Sequence, residues 1–170
     1  MTIIYQQFNQ AQQQLNNIEA VDYFFAKEIL NSLGNIEKGN VSSQSQQLFH
    51  LLIALSESLR AGHSCLPLSV IANTRFGYSC DKQGIVTHHG FTFSDYKSLT
   101  LMCENLAITS LDNQAVVLHN SKLYLRRYYH FEQELLQFIT AKNDQISDAN
   151  ITDIKSCLTS LFPESNNSKE

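Results

Sequence analysis

No stretch of this chain approaches the ~20 consecutive apolar residues that a membrane-spanning helix requires. The N-terminus lacks the basic-then-apolar order of a secretory signal. Lysine and arginine are scarce, with 12 residues against 16 aspartates and glutamates and a net charge of -4. A protein whose main task is gripping nucleic acid concentrates such groups against the phosphates, so the charge argues against that task and leaves room only for weak contact with DNA. The four cysteines, Cys65, Cys80, Cys103 and Cys157, stand far apart. With no secretory signal they read as reduced cytosolic thiols, not as a disulfide framework.

What remains is a chain of 170 residues, 43% hydrophobic, long enough to bury a real core as one domain. Residues 1–17 include a glutamine-rich stretch and predict a tether or frayed helix. From Ile18 the spacing is helical, with Val21, Phe24, Phe25, Ile29 and Leu33 on one face and Gly34 as a stop. Leu48, Leu51, Leu52, Leu55 and Leu59 form the strongest amphipathic pattern, which Gly62 ends. Cys65-Leu66-Pro67-Leu68 is short, apolar and interrupted by proline, as suits a brief edge strand. Ser69 is then placed to cap a short helix.

Residues 73–93 show no clear period and read as an irregular excursion with room for a hairpin. Ser94 is expected to cap a helix whose apolar face is Tyr96, Leu99, Met102, Cys103 and Leu106. Two apolar runs, 115–118 and 122–125, flank the polar turn His119-Asn120-Ser121 and predict a hairpin. A helix follows with Tyr128, Phe131, Leu135, Phe138 and Ile139 on one face. The last helix uses Ile151, Ile154, Leu158 and Leu161, with Asn150 and Asp153 at capping-box spacing. The expected fold is therefore mainly α: a winged-helix-like helical domain over residues 18–162, with a small β-hairpin and extra helices. Residues 163–170 read as a polar, disordered tail.

None of the chemistry-bearing residues forms a catalytic set. Gly34 and Gly39 have the separation of a phosphate-binding loop, but Asn40 and Val41 follow where Lys and Ser or Thr are needed. His63, Cys65, Cys80, His88 and His89 lack the close pairing of zinc ligands. Cys65 beside His63 has no third group in sequence to orient a nucleophile, and reads as a small buried hydrophobe. No catalytic, cofactor-binding or metal residue is assigned. The run Lys122, Tyr124, Arg126, Arg127, Tyr128 and Tyr129 can be read as a patch for nucleic acid, as a protein interface, or as core tyrosines with solvated arginines.

Two motifs about fifty residues apart carry a resemblance. The first is Gly62-His63-Ser64-Cys65-Leu66-Pro67-Leu68-Ser69 and the second begins Lys122-Leu123-Tyr124-Leu125-Arg126. Their order, followed by a helix and then Leu161-Phe162, resembles the N-terminal region of the RecD family, the alpha subunit of exodeoxyribonuclease V. Ala20-Val21-Asp22-Tyr23-Phe24-Phe25-Ala26 is a weaker match upstream. On this resemblance Gly62, His63, Cys65, Leu66, Leu68, Ser69, Leu123, Tyr124 and Leu125 are structural motif residues.

The resemblance implies an assembly role inside a RecBCD-type complex that repairs and degrades DNA in the bacterial cytoplasm. The domain would dock onto a RecC-like subunit and through it onto a RecB-like one. It would not be an enzyme alone, since ATP and Mg²⁺ serve a helicase motor that the family carries further along the chain. Candidate interface residues are Phe91 and Phe93, which alternate and so share one side of an extended segment, together with Arg126, Arg127, Tyr128 and Tyr129. Phe91 and Phe93 can equally cover the helix that begins near Ser94. A stand-alone winged-helix DNA-binding protein or adaptor is the alternative function.

Overall fold

The computed structural model describes residues 5–33, 42–106, 108, 114–146 and 151–161. Its contacts divide the chain into two compact units, Met1–His130 and Phe131–Glu170. Gly34, Gly39, the Asn150 cap and everything after Leu161 lie outside the described residues.

Of the expected tether or frayed helix a helix is present, and it is packed: α1 (Phe8–Gln14) buries Ala11, and Tyr5, Leu15 and Ile18 join the core. Phe8, Ala11, Leu15 and Ile18 follow 3-and-4 spacing, so the glutamines take the solvent side while one face turns inward. Helix α2 (Ala20–Ser32) buries Asp22, Tyr23, Ala26 and Leu30. This face is rotated from the expected one, because Val21 and Phe24 are exposed while Phe25, Ile29 and Leu33 pack only at the rim.

Helix α3 (Ser43–Arg60) is the axis of the core, and every residue from Leu48 to Leu55 is buried. A helix buried all round is one with neighbours on every side. Here α2, strand β1 and α5 pack against it. Its end follows the sequence. Gly62 takes φ +94, its N–H donates to the Leu59 carbonyl (3.0 Å), and the His63 N–H donates to Ser58 (3.1 Å). This double closure needs a left-handed residue, which glycine adopts without a side-chain penalty.

Strand β1 (Cys65–Pro67) leads into the short helix α4 (Leu68–Ile71), whose N-cap is Pro67; Ser69 lies within the helix and is exposed. The stretch expected to be irregular is a regular two-stranded arm, β2 (Arg75–Cys80) and β3 (Val86–Thr92), bulged between Ser79 and Cys80. Helix α5 (Tyr96–Asn105) is capped by Asp95, which accepts from the Ser98 N–H at 3.0 Å. Ser94 instead accepts from the Gln47 side-chain amide (2.6 Å), so it ties α5 to α3. Leu99, Met102 and Cys103 face inward as expected, and Tyr96 does not.

Strands β4 (Val116–His119) and β5 (Lys122–Leu125) form the predicted hairpin. Asn120 and Ser121 both have positive φ, the geometry of a tight two-residue turn that matches strand twist. The three-stranded sheet has the order β1-β5-β4, all antiparallel. Helix α6 (Arg126–Ile146) then runs from the first unit into the second, where helix α7 (Ile151–Leu161) follows. The architecture is mainly helical with two small antiparallel sheets.

Candidate interaction surfaces

The two sequence motifs, half the first unit apart along the chain, meet as neighbouring strands. Cys65 pairs with Tyr124, Leu66 with Leu123 and Pro67 with Lys122. Alternation then separates two faces. Leu66 and Leu123 turn to the core with Val116, while Leu118 and Leu125 pack at its rim. Cys65, Tyr124, Lys122, Val117 and His119 share the other face. There Tyr129, from the first turn of α6, lies over Tyr124 (centroids 5.9 Å apart) and His119 (5.1 Å). The motif thus serves as a structural clasp. Leu68, fully buried, fastens it by donating its N–H to the Ser121 carbonyl at 3.0 Å.

On the open side of β1 lies a groove lined by Ser58, His63, Ser64, Cys65, Pro67 and Val70. The Ser58 hydroxyl donates to the Cys65 carbonyl across it (3.2 Å). Cys65 is half-buried and His63 is exposed, so the expectation of a buried Cys65 is met only in part. Among the described residues no cluster of three or more His, Cys, Asp or Glu is placed to hold a metal ion.

The upstream match, residues 20–26, owes its geometry to a buried carboxylate that periodicity alone did not reveal. Asp22 is fully buried and accepts from the Glu19 N–H (2.8 Å), the Ser56 hydroxyl (2.7 Å) and the Arg60 guanidinium (3.1 Å). Arg60 also pairs with Glu19 at 3.0 Å. A buried charge needs such partners. Turning Asp22 toward α3 is what rotates the α2 face by one position, and it raises the Arg60 pKa further through the hydrogen bond.

Of the expected interface residues, Phe93 is a core residue at 2% exposure. Phe91 stacks on the buried His50 ring, 3.7 Å between centroids and 7° from parallel. Both point to one side, and that side is the core, with Phe93 buried in it and Phe91 half-buried at its rim. Arg126 is half-buried; its backbone N–H donates to Ala115 and its side chain to the Gln114 carbonyl. Arg127 is exposed and lies over the Tyr128 ring, 4.8 Å from its centroid. The run therefore splits: Tyr124, Tyr129 and Arg126 hold the hairpin, and Arg127 and Tyr128 remain on the surface.

The largest exposed apolar side chains of α6 lie in the second unit, on the face predicted from the spacing. Phe131, Leu135, Phe138 and Ile139, with Leu136 beside them, are 48% to 64% exposed on α6. The heptad-like spacing was visible, but spacing cannot say whether a stripe has found its cover.

Over residues 14–124 the chain matches the family model of the RecBCD enzyme subunit RecD, N-terminal domain. That span takes in the α2 carboxylate lock, all of α3 and both strands of the clasp. The chain belongs to the RecD N-terminal domain family. No curated protein matches it. The matched span of the RecD domain closes at Tyr124, on the last strand of the clasp, so the exposed α6 stripe lies beyond it. Among the described residues no helix is long and apolar enough to cross a membrane.

Proposed function

We propose that this chain is the non-catalytic assembly domain of a RecD-type subunit, docking onto a RecC-like subunit and through it onto a RecB-like one in the bacterial cytoplasm. In this reading the helicase chemistry of exodeoxyribonuclease V, with its ATP and Mg²⁺, belongs to motor domains and not to these residues. The observation that carries it is the α6 stripe: five large apolar side chains, each about half exposed or more, in a chain of the RecD N-terminal family. A contiguous apolar patch of this kind marks an interaction site, and an amphipathic helix is a common way to fill a partner's groove. Arg127 and Tyr128 remain candidates for the same partner, since both residue types are enriched where binding energy concentrates.

The scaffold supports a winged-helix-like reading with extra helices. Helix α3, strand β1, helices α4 and α5 and the β4–β5 hairpin follow in order, and β1 returns to pair with β5. The DNA-binding alternative is weaker by this same assignment. The exposed side chains of α5 include Lys97 and Glu104, and Asp95 caps it, so the charges offset each other. A helix entering the major groove needs a cationic surface.

The test is capture of the RecC-like subunit of the same organism by the 170-residue protein and by its Leu135→Ser, Phe138→Ser variant. The wild type should retain the subunit and the variant should lose it, with matching circular dichroism. No capture by folded wild-type protein would overturn the assembly role. The purified chain should also not turn over ATP. Activity removed by altering Gly34 or Gly39 would contradict the non-catalytic reading.

A further inference from the structure

Two segments stand outside the docking reading, the glutamine-rich α1 and the β2–β3 arm. The structure places them side by side. The Gln14 side-chain amide donates to the Gly90 carbonyl (3.0 Å) and the Asn16 N–H to the Gly77 carbonyl (2.8 Å). The base of the arm is fixed by Phe93 in the core and by Phe91 on His50. It is closed by Gly90, where φ is +69 and an added Cβ would meet the Phe76 carbonyl oxygen at 2.7 Å. Beyond that base the arm stands in solvent, with residues 80–87 all exposed.

The surface formed this way has an unusual charge distribution for an acidic chain. Of the 16 aspartates and glutamates, residues 1–18 hold none and residues 73–94 hold only Asp81. The Asp81 carboxylate, itself exposed, accepts from the Gln83 N–H (2.9 Å) and the Ile85 N–H (2.8 Å) of its own turn. Against it stand Arg75 and Lys82, with His88 and His89 on β3. Arg75 lies 4.4 Å over the Tyr78 ring and donates to the His89 carbonyl, and Tyr78 is paired across the arm with His89. The Tyr78 ring is 41% exposed. On α1 and just before it the outward side chains are amides: Gln6, Gln7, Asn9, Gln10, Gln12 and Gln13.

We propose that the β2–β3 arm and α1 together contact a single nucleic-acid strand, with Tyr78 as the stacking platform, Arg75 and Lys82 on the phosphates, and the α1 amides beside the bases. The occupant follows from the complementarity. A face with two cations, whose one carboxylate is engaged by the N–H groups of its own turn, admits a polyanion, and an exposed aromatic ring backed by guanidinium is what an unpaired base stacks on. A duplex offers no unstacked base for that ring. Such a contact, small by itself, would act on a strand that the assembled subunits present.

The experiment is fluorescence anisotropy of a labelled 15-nucleotide oligothymidylate titrated with the full 170-residue protein. Saturable binding is expected at 50 mM NaCl. With two phosphates neutralised, the logarithmic salt slope of about -1.4 makes binding roughly sevenfold weaker at 200 mM. Tyr78→Ala should weaken it at least about fivefold, by loss of one stacked base. Tyr78→Phe and the distant Lys97→Gln should leave it unchanged. Lys82→Gln, at the tip where the fold does not depend on it, should reduce the slope by about 0.7. The proposal fails if the folded protein shows no saturable binding at 50 mM, or if Tyr78→Ala and Lys82→Gln both bind as wild type. It fails equally if Tyr78→Ala abolishes capture of the RecC-like subunit while oligonucleotide binding is untouched, since the arm would then be a protein-docking element.

Discussion

Lowering the pH from 7 to 5 should loosen the first unit through a single side chain, His50. Its ring is fully buried. Nε2 meets the Tyr5 hydroxyl at 3.1 Å, Nδ1 meets the Gln46 carbonyl at 2.7 Å, and Phe91 covers one face. No charged group is among these partners. Burial lowers the His50 pKa to about 4, against a smaller upward pull from the Gln46 carbonyl. In the unfolded chain the imidazole takes its proton near pH ~6.5. Between those values the unfolded state binds the extra proton and the folded state does not, so stability falls as pH falls. From pH 7 to 5 the loss is about 2 kcal/mol, since each unit of pH below the unfolded pKa costs about 1.36 kcal/mol. For a unit of this size that is a drop of roughly 6 °C in melting temperature. Asp95, held below its usual value chiefly by the Ser98 hydroxyl and N–H, titrates below this window and does not add to it. The assay is a series of thermal melts by circular dichroism at constant ionic strength. His50→Gln should start less stable but lose the slope. An equal slope in the variant, or a flat wild-type profile from pH 7 to 5, would refute the argument.

Three substitutions probe the packing. Arg60→Met removes the cation from the buried Asp22 and should cost about 2 kcal/mol in urea unfolding, below the ~3–5 of a fully buried pair because Arg60 is 31% exposed. Leu66→Ala, at the clasp, should cost ~2–5 kcal/mol and lower the melting temperature clearly. An unchanged melt would mean that the strand does not pack as described. Gly90→Ala puts a Cβ against the arm's own backbone at positive φ, so it should cost at least about 2 kcal/mol, read from the same melts. Gly84→Ala, with open space around it, should cost less.

The sequence alone determined the elements whose signals are local. The β4–β5 hairpin, the edge strand at Cys65, the left-handed Gly62 at the end of α3 and the helical stripe of α6 each follow from a few neighbouring residues, and each stands where it was read. The RecD family was legible for the same reason, in two short motifs. Tertiary structure decided which faces are inside. Residues 65–67 pair with residues 122–124, and no local pattern specifies that partnership. Asp22 reads as one more solvated acid until Ser56 and Arg60, more than thirty residues on, come to meet it. The glutamines conceal four apolar residues whose cover is supplied from elsewhere in the chain. Ser94 and Asp95 are both competent caps, and Gln47 decides between them. Burial and pairing are long-range properties, because the free energy of each depends on partners that only the folded chain brings together.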